Sequence, residues 1–295
     1  MDFDDDFDGI DDFEDDIFTV KGRTLLIDGD ILLYRPCCVF NEDTDESREA
    51  TVKLVQTQVN ELLAQSGSED FRFFVTGKKN YRNFITEDYK ANRKDVERPI
   101  NLKWVKTWCV DNLGAEYVLG MEADDLLSIN QTDTTVIWST DKDLRQVKGL
   151  HLNDASREVI EVTEFGLIER RGKKVHFEGT IGLYLQILTG DSTDNIIGCG
   201  KKFPNKNGDL RRKGIGAVAA LNLLQGCETL EEARDVLKQE YQKLHGGSWL
   251  IEINKQGRLL HMIEEFDNDS LTIKLWNFYS DKEEFMNLKT GEIFI

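Results

Sequence analysis

Short apolar runs that end in acidic residues constrain the fold of this chain more than any other feature. Residues 23–27 (RTLLI) run directly into Asp28-Gly29-Asp30, and residues 134–138 (TTVIW) end three positions before Asp141. A third run, residues 72–75 (RFFV), has the same character. Short apolar runs of this kind are typical of central strands buried on both faces.

Segments with a helical apolar period lie between these runs. Residues 48–64 place Val52, Val55, Val59 and Leu62 on one face, and residues 101–113 show a similar pattern. Strands that alternate with helices predict an α/β core with a central, mostly parallel sheet flanked by helices, over residues 19–176. From residue 177 to 295 the pattern changes to helices separated by glycine-rich breaks, which predicts a second, helical part.

Acidic residues outside the N-terminus are grouped at the ends of the predicted elements. Functional groups gather at the carboxyl ends of strands in open α/β sheets, so convergence would bring six to eight carboxylates into one pocket. Such crowding requires cations, and oxygen-only ligands favour two ions of Mg²⁺ or Mn²⁺. Asp is also a common helix N-cap, so one group alone favours a cap, whereas four groups favour metal binding. The groups are Asp28 with Asp30, Glu122 with Asp124 and Asp125, Asp141 with Asp143, and Asp191 with Asp194.

The net charge of −18 is unevenly distributed along the chain. Residues 1–18 hold nine Asp, one Glu and four Phe without any Lys or Arg, and we interpret them as a disordered acidic tail. The remainder carries 45 acids against 37 bases. This balance excludes a uniformly basic nucleic-acid binder but leaves room for local basic surfaces.

Two segments are locally basic. Residues 78–100, called the gateway segment below, contain seven bases with Tyr81, Phe84 and Tyr89 interleaved, a composition that suits single-stranded nucleic acid. A solvated charged loop is the alternative. Residues 201–213 (KKFPNKNGDLRRK) hold six bases and one acid, and Gly214-Ile215-Gly216 follows. A glycine turn that opens a helix presents free backbone N–H groups to a phosphate.

Other function classes are not supported by the sequence. No apolar run approaches the roughly 20 residues of a membrane span, and no signal peptide is visible. Five cysteines without a Cys-x-x-Cys pair predict reduced thiols, and the four histidines lack zinc-ligand spacing. We therefore expect a cytoplasmic protein without a membrane partner.

In chain order, these motifs resemble those of the flap endonuclease and 5′-nuclease family, and most of all those of bacteriophage 5′-to-3′ exonucleases. The resemblance covers roughly residues 23–278. It rests on Leu26–Asp30, Asp88–Lys94 (DYKANRK), Glu122–Asp125, Ser139–Asp143 (STDKD), Thr189–Asn195 (TGDSTDN), Gly214–Gly216 and Lys255–Arg258.

This resemblance implies a metal-dependent phosphodiesterase that acts near 5′ ends of DNA, with two or more Mg²⁺ or Mn²⁺ and a K⁺ ion at the glycine hairpin. It implies that Lys90 and Arg93 contact the scissile phosphate from a helical arch or gateway, and that Tyr89 stacks on a terminal base. Flap cleavage, RNA-primer removal from RNA–DNA hybrids, and a replication partner for the acidic tail also follow as expectations, as does the cytoplasm of a phage-infected host. The implied metal ligands are Asp28, Glu122, Asp124, Asp141, Asp143, Asp191 and Asp194, with Asp125 and Asp30 in support. The expected DNA-binding residues are Tyr89, Lys94, Arg82, Lys201, Lys202, Arg211, Arg212, Lys213, Gly214 and Gly216.

Two departures from the family pattern leave alternatives open. Residues 75–78 (VTGK) carry no Asp after the second strand, so one metal contact is absent or comes from another group such as Asp30. The basic insertion 201–213 either enlarges the duplex-binding surface or forms a mobile loop. A ribonuclease on a related core, a non-catalytic binder of branched DNA, and an interaction protein that acts through its tail are the competing hypotheses.

Overall fold

A five-stranded sheet positions the acidic groups. The computed structural model describes residues 19–93, 96–204 and 210–295, and the side chains of all of these except residues 210–212. The strand order is β2-β1-β3-β4-β5, in which the first four strands are parallel and the last is antiparallel to its neighbour. This confirms the predicted mostly parallel sheet. The strands are β1 (Thr24–Asp28), β2 (Asp70–Phe74), β3 (Thr135–Trp138), β4 (Gly149–Leu152) and β5 (Val159–Val162).

Helices cover both faces of the sheet. Leu33, Val55 and Val105 come from three helices that pack on one face, and Leu126 and Leu127 come from a fourth on the other. Both helices expected between the first three strands are present, and the longer one begins at the Thr44 cap and ends at Gly67 in the left-handed conformation. The helices are α1 (Gly29–Val39), α2 (Asp45–Ser66), α3 (Arg82–Ile85), α4 (Leu102–Leu113) and α5 (Ala123–Ile129), with 3₁₀ turns at Ala91–Arg93 and Lys142–Gln146.

The C-terminal part combines helices with strands, whereas the sequence predicted helices alone. Its strands are two to five residues long and lack the apolar runs that identified β1 to β3, so they give no clear signal in the sequence. Its elements are β6 (Leu167–Arg171), β7 (Lys174–Glu178), α6 (Gly179–Thr189), β8 (Gly200–Pro204), β9 (Leu210–Gly214), α7 (Ala217–Leu224), α8 (Leu230–His245), α9 (Trp249–Leu260), β10 (Phe266–Asp267), β11 (Thr272–Leu275), β12 (Glu284–Asn287) and β13 (Ile293–Phe294), with a 3₁₀ turn at Gly246–Ser248.

Part of this region shares a core with the central sheet. Strands β10 to β13 form an antiparallel sheet, and their Ile273 and Met286 pack in one apolar cluster with Leu26 and Ile137. The helix α6 is buried along almost its whole length and is the centre of a second cluster with α7, α8 and α9. The division at residues 176/177 stays a prediction, and the acidic tail 1–18 lies outside the described residues.

No helix in the described ranges is long and apolar enough to cross a lipid bilayer.

One close packing contact in this region can be tested. A Cβ atom on Gly257 in α9 would lie 2.0 Å from Cε3 of Trp276, well inside contact distance. Although Ala favours helices by about 1 kcal/mol over Gly, we expect Gly257→Ala to lower the free energy of unfolding, because the indole must move. Gly247→Ala is the matched control, since no atom lies within 4 Å of its added Cβ. Urea denaturation of both variants measures the difference, and an unchanged or raised stability for Gly257→Ala would contradict the expectation.

Candidate active site

The predicted acidic groups meet at the edge where the parallel strands end. The strand register aligns Asp28 with Phe74 and Ile27 with Trp138, so β1, β2 and β3 finish together. Asp28 caps α1 by accepting a hydrogen bond from the Ile31 N–H at 3.2 Å. Its other carboxylate oxygen accepts a hydrogen bond from Ser139 Oγ at 2.7 Å. A residue beyond the end of β3 therefore holds the carboxylate at the end of β1.

The first carboxylate group surrounds Lys142. Asp141 caps the following 3₁₀ turn by accepting from the Asp143 N–H at 2.9 Å. Asp143 accepts from Gln186 Nε2 of α6 at 2.5 Å. The Lys142 ammonium lies 2.9 Å from Asp191 Oδ2 and 3.6 Å from Asp143 Oδ1. The Lys142 ammonium thus joins the turn after β3 to the loop after α6, which lies more than 40 residues further along the chain.

The second group surrounds Lys90 of the gateway segment. Its ammonium bonds to Glu122 and lies 3.6 Å from Asp194 Oδ2. The Arg93 guanidinium is 2.5 Å from the other oxygen of Asp194, and the Lys90 N–H donates to the Asp194 carbonyl at 3.0 Å. Lys90 has a φ of 52°, a left-handed conformation that side chains other than glycine rarely adopt. The two residues predicted to contact phosphate therefore lie against predicted metal ligands.

Burial makes several of these carboxyls hard to ionise. Desolvation raises the pKa of Asp28 to about 7, and Asp30 and Asp141 add repulsion. Desolvation and Asp141 likewise raise the pKa of Asp143 to about 7. The pKa of Asp124 is raised by burial and by the nearby Glu122 and Asp125.

The pKa values of Glu122 and Asp191 shift in the opposite direction. Burial opposes ionisation of Glu122, but Lys90 and Arg82 outweigh it and lower its pKa to about 2. Burial is similarly outweighed at Asp191, where Lys142 lowers the pKa. At Asp194 burial prevails over its cationic partners and the pKa is raised, and repulsion from both Glu122 and Asp191 adds to this shift and links the two groups electrostatically.

The acidic side chains are of the kind that binds hard divalent cations, although they are not arranged around a common centre. Every predicted metal ligand described above would contribute a carboxylate oxygen, the ligand type that Mg²⁺ and Mn²⁺ prefer. Among the described residues, no cluster of three or more His, Cys, Asp or Glu is arranged to hold a metal. Lys90 and Lys142 bridge the carboxylates instead. The raised pKa values at Asp28 and Asp143 show that further positive charge would be accommodated there.

The position of Arg82 contradicts two predictions, DNA binding by Arg82 and metal binding by Asp125. Expected to bind DNA, it is only 1% exposed and forms two hydrogen bonds with Asp125, at 2.7 and 2.8 Å. It also donates to the carbonyls of Leu259 and His261. A guanidinium enclosed in this way cannot reach a DNA backbone, and Asp125, which is fully buried against it, is not free to bind a metal.

Tyr89 is also placed differently from the prediction. Its ring is buried in the cluster around α6, and its hydroxyl donates to Glu122 at 2.6 Å. The prediction that this ring stacks on a terminal base is therefore wrong for the described conformation. Tyr89 instead positions Glu122.

In the described residues of the basic insertion, β8 and β9 pair as antiparallel strands, and Lys201, Lys202 and Lys213 are exposed. This strand pair is called the hairpin β8–β9 below. Lys202 pairs with Asp88 of the gateway segment at 2.8 Å. Gly214 ends β9, and Gly216 is the N-cap of α7 without a side-chain cap. Lys94 and the side chains of Arg211 and Arg212 lie outside the described residues.

Sequence reasoning missed the roles of three residues. Ser139, Gln186 and Lys142 hold acidic side chains in place, and of these only Ser139 and Lys142 lie in a predicted acidic motif. At the end of β2, where no acid follows the strand, Asp30 accepts from the Thr76 N–H at 3.3 Å and pairs with Lys106. Neither contact has a signal in the sequence, because both depend on tertiary packing.

A family model for the 5′-3′ exonuclease N-terminal resolvase-like domain matches residues 23–171, half of the chain. The chain therefore belongs to the 5′-3′ exonuclease family. This confirms the family resemblance, the α/β fold class and the assignment as a nuclease, while the closeness to bacteriophage enzymes stays a prediction.

Individual relatives agree with this assignment. A 5′-3′ exonuclease of Buchnera aphidicola is 26% identical over 199 residues, which are 62% of this chain and 68% of that protein. The thermostable DNA polymerase I of Thermus aquaticus is 29% identical over 228 residues, 73% of this chain but only 25% of the polymerase. A solved structure of the catalytic core of Rad2 in complex with DNA substrate aligns with a TM-score of 0.37 at 16% identity, covering 77% of this chain and 67% of that one. A structural likeness this weak carries no functional conclusion.

The raised pKa values predict how stability depends on pH. Asp28 and Asp143 have folded pKa values of about 7 against ordinary values of 3.8. Their contribution is complete below about pH 4 and is lost as the pH rises through 7. In EDTA, the free energy of unfolding should therefore fall from pH 5 to pH 8. Asp28→Asn should flatten this fall, whereas Asp133→Asn, at an exposed position, should not. Chemical denaturation at several pH values measures it, and equal slopes for Asp28→Asn and the unmodified chain would refute the prediction.

The buried ion pair predicts a large loss of stability. Asp125→Asn removes the carboxylate that makes two hydrogen bonds to the buried Arg82 guanidinium and leaves only the 3.3 Å carboxylate contact with Glu122, which costs about 3 to 5 kcal/mol. The double substitution Arg82→Leu with Asp125→Leu should cost less than Asp125→Asn does, because no buried charge is left unpaired. Thermal and urea denaturation of these variants measure the two losses. A double variant less stable than Asp125→Asn would show that the pair itself stabilises the fold.

Proposed function

We propose that this chain is a divalent-metal-dependent 5′-to-3′ exodeoxyribonuclease that hydrolyses phosphodiesters near the 5′ ends of duplex DNA. One observation carries the proposal: two carboxylate groups lie at the strand ends, one around Lys142 and the other directly beside Lys90 and Arg93. Binding of DNA is part of the same proposal.

The site would take two divalent cations in place of the lysine ammonium groups that now bridge its carboxylates. Asp28, Asp141, Asp143 and Asp191 would hold one, and Glu122, Asp124 and Asp194 would hold or orient the other. Bound Mg²⁺ or Mn²⁺ would supply an activated water and stabilise the attacking and leaving oxygens of an in-line displacement. Cleavage of the bond between phosphorus and the 3′-oxygen leaves a 3′-hydroxyl on the released nucleotide and a 5′-phosphate on the shortened strand.

Lys90 and Arg93 provide the positive charge for the phosphate. Both side chains are partly exposed and already held by Glu122 and Asp194, so a substrate phosphate that approaches this edge meets two positioned cations. They offset charge on the non-bridging oxygens, which grows in the transition state. Tyr89 and Arg82 act indirectly, because each contacts Glu122 from the buried side.

The hairpin β8–β9 and the turn before α7 provide a surface for the duplex. Lys201, Lys202 and Lys213 neutralise phosphates without reading sequence. The Gly214–Gly216 turn presents backbone N–H groups at the start of α7, where a phosphate binds favourably. DNA binding by Lys94, Arg211 and Arg212, and a K⁺ ion at this turn, belong to the same proposal.

A hydrolysis assay tests the metal assignment. With Mg²⁺, Asp141→Asn should release nucleotides from 5′-labelled duplex at least about 100-fold more slowly, since even outer-shell partners of a metal contribute about 10–100-fold. Asp133→Asn is the matched control at an exposed position, and EDTA should stop the unmodified chain. Unchanged release by Asp141→Asn would refute the assignment.

The choice of substrates separates the alternatives. Blunt, nicked, gapped and 5′-flap duplexes, each with a DNA or RNA 5′ end, distinguish exonuclease, flap and primer-removal activities. Hydrolysis of RNA alone would identify a ribonuclease. Binding without hydrolysis in both Mg²⁺ and Mn²⁺ would identify a non-catalytic DNA-binding protein.

A further inference from the structure

The loop that follows β2 is fixed to a neighbouring segment and presents two lysines to solvent. The carbonyl of Lys78 accepts a hydrogen bond from the Gly120 N–H at 3.0 Å. Gly77 packs so closely that an added Cβ would lie 2.3 Å from the carbonyl oxygen of Val118. Lys78 and Lys79 are both exposed, and neither forms an ion pair in the part of the chain that the structure describes. The backbone of the loop is thus held in place while two charged side chains point to solvent.

A third lysine comes from the C-terminal sheet. Leu288 packs against Gly120, since a Cβ on that glycine would lie 3.2 Å from the Leu288 Cβ and 3.4 Å from its carbonyl oxygen. Lys289 follows directly and is exposed, and no described acid pairs with it. Gly120 therefore contacts both Lys78 and the residue before Lys289, which brings together lysines that are far apart in the sequence.

Exposed apolar side chains lie in the same segment. Tyr117 and Leu119, on either side of Val118, are 57% and 39% exposed. Single-stranded nucleic acid is bound by surfaces of this composition, because bases stack on aromatic rings and cations follow the phosphates. The residues that form this surface, called the β2-loop surface below, are Lys78, Lys79, Tyr117, Leu119 and Lys289.

Most acidic side chains near the β2-loop surface are already paired with cations. The pairs are Asp30 with Lys106, Glu116 with Arg72, and Glu122 with Lys90. Two further acids form no ion pair with any described residue: Asp124, a proposed metal ligand, and Glu292, which is exposed three positions after Lys289. The three lysines outnumber these two carboxylates, so the surface attracts a polyanion.

The β2-loop surface begins beside the second carboxylate group. Thr76, two residues before Lys78, accepts a hydrogen bond through its Oγ1 from the Ala123 N–H at 3.1 Å. The residues on either side of Ala123 are Glu122 and Asp124, both proposed metal ligands. A strand that leaves this group on the β2 side therefore passes directly onto the lysines.

The proposed duplex surface lies towards the other side of the sheet. It follows α6 in the chain, and Gln186 of α6 is bonded to Asp143 in the turn after β3. The strand order β2-β1-β3 separates that turn from the loop after β2 by the whole width of β1. Duplex and β2-loop surface are thus on either side of the carboxylate groups.

We propose that the β2-loop surface binds the single-stranded 5′ end of the strand that is cleaved. The inference rests on the proposed function and deepens it. In an enzyme that cleaves near 5′ ends, the duplex lies on the 3′ side of the scissile phosphate, so the strand that continues past the site carries the 5′ end. Its phosphates pair with the lysines, and one of its bases stacks on Tyr117.

DNA binding by the full chain in EDTA tests the lysines. The probes are labelled duplexes of one sequence that have a single-stranded 5′ extension, a 3′ extension or blunt ends. For the 5′-extended duplex, the slope of log K against log salt concentration should decrease in magnitude by about 0.7 for each lysine removed, hence by about 1.4 in Lys78→Ala with Lys289→Ala. The slope for the blunt duplex should not change. The matched control is Lys53→Ala with Lys173→Ala, at exposed positions of α2 and of the turn between β6 and β7.

Substitutions of Tyr117 test the stacking in the same assay. Tyr117→Ser should weaken binding of the 5′-extended duplex about fivefold or more, the contribution of one stacked base. Tyr117→Phe keeps the ring and should bind as the unmodified chain does. Tyr34→Ser, at an exposed position of α1, is the control. An equal loss in Tyr117→Phe, or none in Tyr117→Ser, would overturn the stacking.

Other occupants of the surface give different results. An unchanged slope for the 5′-extended duplex in the double lysine variant would overturn the proposal. So would a decrease that is equal for the blunt duplex or confined to the 3′ extension. A labelled peptide of residues 1–18, rich in Asp and Phe, is the acidic protein probe. If the lysine variant weakens binding of this peptide but not of the 5′-extended duplex, the surface binds protein and the proposal is wrong.

Failure of this proposal is distinguishable from failure of the proposed function. Because the titration contains no metal, it does not depend on turnover. Hydrolysis of blunt duplex together with an unchanged slope in the lysine variant overturns the β2-loop surface alone. The expected change in slope without hydrolysis by the unmodified chain in Mg²⁺ or Mn²⁺ overturns the nuclease alone.

Discussion

Mutual repulsion among carboxylates at one sheet edge is the constraint on which the rest of the site depends. Parallel strands that end together bring Asp28 and Asp141 to this edge, and α5 and α6 add Glu122 and Asp191. Burial disfavours the ionised carboxylates and repulsion adds to this effect, so the pKa values of Asp28 and Asp143 are raised. The described conformation offsets it with lysines that belong to distant segments. The negative charge that would attract metal ions therefore also holds the gateway segment against the α/β core.

The gateway segment has buried side chains that anchor it to the protein and partly exposed basic side chains. Arg82 and Tyr89 are buried, and both contact Glu122 from within the protein. Lys90 and Arg93 remain partly exposed on the other side of the same carboxylates. A short stretch of chain thus supplies two structural groups and two groups that can meet a phosphate. Basic and aromatic composition alone does not separate these roles, because burial decides between them.

The elements and acidic groups were predictable from the sequence because their signals are local. The strands β1, β2 and β3 follow from apolar runs, and the convergence of Asp28 with Asp141 follows from where parallel strands end. The burial of Arg82 against Asp125 was not predictable, since it depends on carbonyl groups of Leu259 and His261 far along the chain. The contacts of Ser139 and Gln186 likewise have no local pattern. The short strands β10 to β13 were missed because two to four residues without an apolar run give no reliable pattern of apolar and polar residues.

The end of β2, where no acid follows the strand, is closed by a side chain from the helix that follows β1. Asp30 of α1 accepts a hydrogen bond from the Thr76 N–H and pairs with Lys106. Its charge is thus engaged at the end of β2, whereas the proposed metal ligands come from β1, from the turn after β3, and from residues beside α5 and α6. Because Lys106 pairs with Asp30, this side chain adds less repulsion to the carboxylate edge than an unpaired acid after β2 would.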